Sequence, residues 1–403
     1  MSVTAARGFT ASGVSAGIKD SGAPDLALVV NRGPSYAAAA VFTSNRVQAA
    51  PVRWSRRVIG DGALAAVVLN SGGANACTGP AGEDDARAMA ERTARALRVE
   101  AEQVAVCSTG LIGVPLPMDR VTAGIDAAAA ELSEDGGEAA AIAIKTTDSV
   151  HKTAVASGSG PDSGPRSGSG PEPDRGPGPG WTVGGMAKGA GMLAPGLATM
   201  LVVLTTDADV SAPTLDSALR QAVRTTFDRV DSDGCMSTND TVLLLASGAS
   251  GVRPDPAEFA EAVHDVCLDL ALRLVADAEG ASKEIEVRVV GAASEQDAVT
   301  VGRSIARNNL LKCALHGEDP NWGRVLSAIG TTSAVFDPDR LDVSINGVRV
   351  CRDGAAGEPR DKVDLSGRAV TVAVDLRSGD ASATIWTNDL TAAYVHENSA
   401  YSS

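Results

Sequence analysis

Short apolar runs alternate with amphipathic stretches along this chain, and no other feature constrains its fold as strongly. Strand-like runs occur at LALVV (26–30), LAAVVL (64–69) and VAVC (104–107). A helical pattern, EDDARAMAERTARAL (83–97), lies between the second and third runs. Because strands and helices follow one another in this order, the sequence predicts an α/β protein rather than an all-α or all-β one.

The alternation continues to the C-terminus, with no internal repeat. We expect further strands at 37–42, 152–157, 181–186, 200–207, 241–248, 284–292, 342–350, 369–376 and 383–389, and further helices at 119–133, 212–228, 255–278 and 296–308. The stretch DVSINGVRV (342–350) contains Asn346-Gly347, a strong signal for a tight hairpin. The region after 340 is therefore predicted to be rich in β-structure.

Composition excludes several classes of protein. Only 3 % of the 403 residues are aromatic although 44 % are hydrophobic, so the core must consist of Ala, Val, Leu and Ile. A net charge of -15 should repel phosphate backbones, which argues against nucleic acid as a partner. No apolar run reaches the ~18 residues of a membrane span, and MSVTAARGFTASG lacks the pattern of a secretory signal. We therefore expect a cytoplasmic protein without a membrane partner.

The six cysteines contain no CxxC pair, and we expect them to be reduced and mostly buried thiols. One segment departs sharply from the rest of the chain. SGSGPDSGPRSGSGPEPDRGPGPG (157–180) consists almost wholly of Gly, Pro, Ser and charged residues. Such a composition cannot bury enough apolar surface to offset its ordering entropy, so we predict a disordered insert. Strand-like sequences flank it, which favours an enlarged hairpin tip.

A lone hydroxyl stands at the start of a predicted strand in KGAGMLAPGLATMLVVLTTDA (188–208). Thr199 is either an ordinary residue of a loop that enters a core strand or a nucleophile. Histidines are scarce, and a threonine that uses its own α-amine as base needs none. That amine has to be released first, by attack of the Thr199 hydroxyl on the Ala198 carbonyl and hydrolysis of the resulting ester.

A second candidate is VCSTGLIG (106–113), where a strand ends at Ser108-Thr109-Gly110. A hydroxyl and a backbone N–H at such a turn suit an oxyanion hole, although a simple turn from strand to loop has the same appearance.

Six pieces of the sequence together resemble the ornithine acetyltransferase family, the bifunctional glutamate N-acetyltransferases of arginine biosynthesis. They are STGLIG (108–113), IKTTD (144–148), AKGAGMLAPGLATMLVVLTTDA (187–208), EGASK (279–283), HGEDPNWGR (316–324) and YVHENSAYSS (394–403). They lie in the family's order over essentially the whole chain, and their combination is specific although each piece alone is weak.

The resemblance implies a layered α/β sandwich with the αββα architecture of N-terminal-nucleophile hydrolases. It implies self-cleavage at Ala198-Thr199 into an α chain, 1–198, and a β chain, 199–403, which begins with the nucleophile Thr199. Thr109 and Gly110 would form the oxyanion hole. The implied substrate-binding residues are Thr146, Lys188, Thr199, Glu279, Asn398 and Ser403. The implied assembly is an α2β2 heterotetramer, with no cofactor and with acetyl-CoA as a possible co-substrate.

Taken singly, these residues have ordinary structural explanations. Lys188 could be a solvated charge, Glu279-Gly280 a helix end with Gly280 as its C′ residue, and Asn398 part of a frayed tail. His316 with two nearby acids offers too few spaced ligands for a metal site, so we interpret HGEDPNWGR as a structured turn near the site, supported by Trp322 and Arg324.

The sequence also departs from the family's pattern. The insert is longer than the hairpin loop expected there, TTDSVHK (146–152) replaces the more usual TTDTxPK, and Ser403 stands where threonine is more familiar.

The reaction that the resemblance implies is ping-pong transfer of acetyl from N2-acetylornithine to glutamate through a Thr199 ester. Two alternatives remain open from the residues alone. One is an aminopeptidase or amidase that uses the same threonine, and the other is a non-catalytic relative that binds metabolites.

Overall fold

The computed structural model describes residues 2–159, 180–194 and 200–400. The strands in these ranges are β1 (Phe9–Val14), β2 (Leu26–Asn31), β3 (Ala38–Phe42), β4 (Ala66–Ser71), β5 (Val104–Thr109), β6 (Lys152–Gly158), β7 (Trp181–Lys188), β8 (Leu201–Thr206), β9 (Thr241–Ala246), β10 (Glu284–Ala292), β11 (Asp342–Ile345), β12 (Val348–Arg352), β13 (Ala355–Ala356), β14 (Ala369–Asp375) and β15 (Ala381–Asn388). The helices are α1 (Ala50–Val58), α2 (Gly79–Leu97), α3 (Met118–Ala130), α4 (Gly137–Ala143), α5 (Ala212–Thr225), α6 (Pro256–Ala276), α7 (Glu295–Ala306), α8 (Asn309–His316), α9 (Trp322–Ile329) and α10 (Ala392–Ala400).

Four strands form a mixed sheet in the order β1-β2-β4-β5. β1, β2 and β4 pair antiparallel, whereas β4 and β5 pair parallel. Every residue of β4 and β5 is buried, as expected for parallel strands that are covered on both faces. The parallel pairing places Ser71 beside Thr109, so both strands end at the same edge of the sheet.

Five strands form a second mixed sheet in the order β3-β9-β8-β7-β6. β8 and β9 are parallel, and their first residues, Leu201 and Thr241, are partners. β6 and β7 pair antiparallel from Lys152 opposite Ala187 to Gly158 opposite Trp181. The flanks of the predicted insert therefore pair as a hairpin, as the sequence indicated. The insert itself lies outside the described residues, apart from 157–159 and 180.

The two sheets pack face to face, and helices cover their outer faces. Leu201 and Val203 of β8 belong to a core that they share with the four-stranded sheet and α2–α4. Val202 and Leu204 point to the opposite face and pack with α5 and α6. Because side chains alternate between the two faces of a strand, β8 contributes residues to both cores. This arrangement is the layered αββα sandwich that the resemblance implied.

The C-terminal region forms a third sheet, in the order β13-β12-β11-β14-β10-β15. It has its own core, to which α7, α8 and α9 contribute. The Asn346-Gly347 turn joins β11 and β12, and both of its residues have positive φ, as the sequence predicted. Among the described residues, no helix is long and apolar enough to span a bilayer.

All six cysteines are free thiols, but the expectation that most are buried is only half correct. Cys107, Cys267 and Cys351 are buried because they face the cores. The exposed thiols, which belong to two loops and to α8, are those of Cys77, Cys235 and Cys313.

Candidate active site

Three of the predicted site residues meet at one side chain. Lys188 ends β7, and its ammonium is buried, with 1 % of the residue exposed. Its Nζ donates hydrogen bonds to Thr109 Oγ1 at 3.2 Å and to Thr146 Oγ1 at 2.8 Å. Thr109 ends β5, and Thr146 lies in the loop after α4. The two sheets therefore bring residues from distant parts of the sequence into contact, and the interpretation of Lys188 as a solvated charge is wrong.

The contact with Lys188 fixes how the Thr109 hydroxyl can act. An ammonium group has only donors, so the threonine oxygen has to accept in this hydrogen bond. The Thr109 O–H is then free to donate in another direction. A hydroxyl oriented in this way is suited to stabilise a developing oxyanion.

Gly110 follows Thr109 with a backbone conformation that side chains rarely adopt. Its φ is +126°, and a Cβ at this position would lie 2.6 Å from the backbone C of Gly72. The Thr109 carbonyl accepts a hydrogen bond from the Gly72 amide at 2.9 Å, which holds the two turns together. Only glycine allows so close an approach of backbones.

A buried charge network lies beside Lys188. Asp148 accepts from Lys152 Nζ at 2.6 Å and from the Gly189 amide at 2.7 Å, and its other oxygen lies 4.0 Å from Lys188 Nζ. Lys152 also donates to Asp277 at 2.5 Å. Asp148 and both lysine side chains are almost completely buried. The network thus ties the end of β7 to the loop of Thr146.

Burial and charge oppose each other in this network. Burial alone would raise the pKa of Asp148, but the ammonium groups of Lys188 and Lys152 outweigh it and lower that pKa to about 2. Burial lowers the pKa of Lys188, and the carboxylates of Asp148, Asp240 and Glu279 act against this change. Glu279, another predicted site residue, therefore lies within electrostatic range of Lys188.

We expect Asp148→Asn to destabilise the protein by about 3–5 kcal/mol, because it leaves two buried ammonium groups without their shared carboxylate. A fall in the thermal melting temperature at pH 7 measures this loss. An unfolded aspartate has a pKa of about 3.9, so the carboxylate contributes fully above that pH. Its contribution is lost as the pH falls toward the folded-state value of about 2, and the gap between variant and wild type should narrow there.

Asp269→Asn is the matched control, because it removes a carboxylate that pairs with Arg273 on the exposed face of α6. An exposed pair of this kind contributes at most about 1 kcal/mol. Equal losses in the two variants would contradict the assignment of Asp148 as the centre of the network.

Glu279 and Asn398 are joined directly. Asn398 Nδ2 donates to Glu279 Oε2 at 3.0 Å, so the C-terminal helix α10 reaches the loop after α6. α6 ends at Ala276 with Asp277 as its C-cap, so Gly280 is not its C′ residue. Gly280 has φ +62°, and a Cβ there would lie 2.2 Å from the Tyr394 amide nitrogen. The glycine lets α10 approach closely enough for Asn398 to contact Glu279.

Ala198, Thr199 and Ser403 lie outside the described residues, but hydrogen bonds hold the residues on either side of 195–199. The Leu193 carbonyl accepts from the Ser232 amide at 2.6 Å. The Met200 amide donates to Asp240 Oδ1 at 2.9 Å. Lys188 of β7 pairs with Leu201 of β8, so Met200, the residue after Thr199, lies near the Lys188 cluster, which consists of Lys188, Thr109 and Thr146.

HGEDPNWGR comprises the last residue of α8, the turn 317–321 and the first three residues of α9, and it contacts the EGASK stretch. His316 Nδ1 lies 2.9 Å from Asp389 Oδ2 and 3.1 Å from Ser282 Oγ. Arg324 donates to the Leu310 carbonyl, and Trp322 is the first residue of α9. Within the described ranges, no group of three or more His, Cys, Asp or Glu side chains could hold a metal ion.

Sequence reasoning missed three charged residues of this region: Asp148, Lys152 and Asp240. Asp148 stands inside the IKTTD piece, and Lys152 follows it by 4 residues, at the start of β6. Asp240 immediately precedes β9, the strand that pairs with β8, and this position beside the start of β8 was a reason to consider it as a site residue.

The sheets and the Lys188 cluster define an α/β protein whose candidate site lies where β5 and β7 end. The ArgJ family model matches residues 10–403, and the chain belongs to that family. It is 68 % identical over 403 residues to the arginine biosynthesis bifunctional protein ArgJ of Streptomyces avermitilis, and 67 % identical to that of Streptomyces coelicolor, each alignment covering 100 % of both chains. A solved structure of ornithine acetyltransferase complexed with ornithine, from Mycobacterium tuberculosis, is 49 % identical, with a TM-score of 0.41, and covers 50 % of this chain and 96 % of its own.

Proposed function

We propose that this protein is an acetyltransferase of arginine biosynthesis that moves acetyl from N2-acetylornithine to glutamate through an ester on Thr199. The observation that carries the proposal is the convergence of Thr109, Thr146 and Lys188, three residues singled out from the sequence, at one buried ammonium group. Membership of the ArgJ family supports the substrates.

The proposed mechanism begins with self-cleavage. The Thr199 hydroxyl oxygen adds to the Ala198 carbonyl carbon, the peptide C–N bond breaks, the hydroxyl proton passes to the Thr199 nitrogen, and an ester forms. Water hydrolyses the ester to give chains 1–198 and 199–403. The α-amine of Thr199 is then free to act as the base that a threonine nucleophile requires.

In the transfer reaction, the Thr199 oxygen adds to the acetyl carbon of N2-acetylornithine and its proton passes to the α-amine. The Thr109 hydroxyl and the Gly110 amide stabilise the oxyanion. The C–N bond breaks, the amine protonates the leaving nitrogen, and ornithine departs. The amine of glutamate then adds to the acetyl ester, which yields N-acetylglutamate and restores Thr199.

Substrate recognition needs groups for a carboxylate and for a side-chain amine. We assign Glu279 to the cationic group, and Asn398 and Ser403 to closure of the C-terminal segment over the ligand. Lys188 and Thr146 complete the site, with Lys188 attracting the α-carboxylate while it orients the Thr109 hydroxyl.

Three further points belong to the same proposal. The word "bifunctional" in the relatives' names supports a second activity, for which we propose acetyl-CoA as donor and glutamate as acceptor. We propose an α2β2 heterotetramer, which the mass of the purified protein in solution tests. We also place the protein in the cytoplasm, with no resident cofactor.

Exchange of labelled acetyl tests the function. With labelled N2-acetylornithine, label should appear in N-acetylglutamate only when glutamate is present. Release of free acetate without dependence on glutamate would favour an amidase or aminopeptidase. Absence of both reactions, together with an uncut chain by intact mass, would favour a non-catalytic binding protein.

The pH dependence of kcat/KM should report the Thr199 amine. Its unperturbed pKa is about 7.7–8.0, and a neighbouring ammonium disfavours protonation and lowers it. The acidic limb should therefore lie below that range in the wild type. Lys188→Met removes the positive charge, so the limb should move to higher pH in a profile measured from pH 5 to 9.

His316→Asn is the matched control, because it removes a half-exposed imidazole that pairs with Asp389 and has no role in proton transfer here. Its profile should keep the wild-type limb. Loss of the limb in this variant would identify an imidazole as the base and contradict the amine mechanism.

A further inference from the structure

Gly191 lies against the carboxylate of Glu279, and the mechanism above gives this glycine no role. A Cβ at position 191 would lie 2.6 Å from Glu279 Oε2, 2.8 Å from Oε1 and 2.8 Å from Cδ. It would therefore clash with the whole carboxylate group rather than with a single atom. The place that the carboxylate occupies is open only because residue 191 has no side chain.

The backbone on both sides of Gly191 is held in place. The Ala190 carbonyl accepts a hydrogen bond from the Glu279 amide at 3.0 Å, and the Leu193 carbonyl accepts one from the Ser232 amide at 2.6 Å. The φ of Gly191 lies outside the left-handed region, so alanine is compatible with the backbone there. A methyl group at this position would thus displace the end of the flexible Glu279 side chain and leave the fold intact.

The Glu279 carboxylate is suited to bind a cation from solvent. Gly191 and Glu279 are both only half-buried. Oε2 accepts from Asn398 Nδ2 at 3.0 Å, and within the ranges that the structure describes, no lysine, arginine or histidine pairs with this carboxylate. An ionised carboxylate has about four acceptor sites, so most of them remain available for a ligand.

Glu279 also lies within electrostatic range of the Lys188 ammonium. The site therefore presents one positive and one negative group. A ligand with a carboxylate near Lys188 and an ammonium near Glu279 would match both charges.

We propose that Gly191 is a positioning residue, which places the Glu279 carboxylate and thereby sets the preference for an acetyl donor with a side-chain ammonium group. This inference rests on the proposed function, in which Glu279 binds the cationic group of N2-acetylornithine. A hydrogen bond weakens steeply when its donor and acceptor move out of range, so a displaced carboxylate loses this contact. The loss should be about tenfold in kcat/KM, the scale of one hydrogen bond to a charged group.

The test compares two acetyl donors that differ only in the ammonium group, N2-acetylornithine and N2-acetylnorvaline. Transfer of acetyl to glutamate is measured on protein whose cleavage into two chains is verified by intact mass. Gly191→Ala should lower kcat/KM for N2-acetylornithine by about tenfold and leave the value for N2-acetylnorvaline unchanged. An equal fall for both donors would overturn the proposal, because general damage to the site predicts that result.

A double-mutant cycle decides the same question with N2-acetylornithine alone. Glu279→Gln keeps the shape of the side chain and removes its charge. If Gly191 acts through this carboxylate, Gly191→Ala should have little further effect in the Glu279→Gln background. Additive effects of the two substitutions would show that Gly191 acts independently of Glu279 and would overturn the proposal.

Gly60→Ala is the matched control. Gly60 lies in the turn after α1, its φ is also outside the left-handed region, and a Cβ there would have no atom within 4 Å. This variant should keep the wild-type kcat/KM for both donors. Gly191→Ser is measured beside Gly191→Ala with the same expected result. Failure of both to be cleaved would overturn the proposal, since it would assign Gly191 to folding or self-cleavage.

The Glu279→Gln variant separates this inference from the proposed function. An unchanged kcat/KM for N2-acetylornithine in Glu279→Gln would overturn the assignment of Glu279, and that of Gly191 with it. A fall in Glu279→Gln without a fall in Gly191→Ala would overturn only the role of Gly191. Absence of acetyl transfer in the wild type would overturn the proposed function itself.

Discussion

Thr199→Ala is expected to yield a single full-length chain without acetyltransferase activity. The change removes the nucleophilic hydroxyl of the proposed mechanism, so neither the acyl shift nor the acetyl ester can form. Intact mass of the purified protein distinguishes one species of 403 residues from two fragments that meet at 198 and 199. Transfer of labelled acetyl to glutamate should fall to background in the same preparation.

Thr199→Ser is the control, because serine keeps a hydroxyl at the same position. It should be cleaved and retain measurable transfer. Two fragments from Thr199→Ala would show that another group cuts the chain, and activity in an uncut chain would show that the free amine is unnecessary.

Thr109→Val should lower kcat by about 10²–10³-fold and change KM little, because an oxyanion donor acts mainly in the transition state. Valine has nearly the shape of threonine, so the substitution removes the hydroxyl without opening a cavity. Steady-state kinetics on protein already cleaved into two chains measure the effect on transfer. The time course of precursor cleavage measures whether the Thr109 hydroxyl also assists self-cleavage.

Thr93→Val is the matched control, because the Thr93 hydroxyl in α2 is also buried and has no hydrogen-bond partner among the described residues. It should leave kcat unchanged. A large rise in KM at constant kcat in Thr109→Val would assign this hydroxyl to ground-state binding rather than to the oxyanion hole.

The fold was predictable where a buried element has an apolar local sequence. β2, β8 and β9 are buried at every position, and each appears as an uninterrupted apolar run. β1 was missed because its sequence, FTASGV, mixes hydroxyls and glycine with apolar residues. The α8 and α9 helices were also missed, since each is only eight residues long and both adjoin the polar HGEDPNWGR turn.

The site was less predictable from the residues themselves. Thr109, Thr146 and Lys188 were singled out through the resemblance, and the structure then brought them into contact. Lys152 and Asp277 are 125 residues apart in sequence, and the Met200–Asp240 contact joins two strands through a parallel pairing. Contacts at such separations depend on sheet order, which local patterns do not encode.

The order β3-β9-β8-β7-β6 has a consequence for the timing of maturation. A cut at 198–199 would leave β3, β7 and β6 on one fragment, and β9 and β8 on the other. The two strands of the second fragment would then lie between strands of the first, and the fragments would remain joined along the β3–β9 and β7–β8 ladders. Neither fragment could complete this sheet alone, so the chain has to fold as one piece before it is divided. Cleavage would then liberate no product: it would turn a folded monomer into an interlocked pair of chains that were never separate.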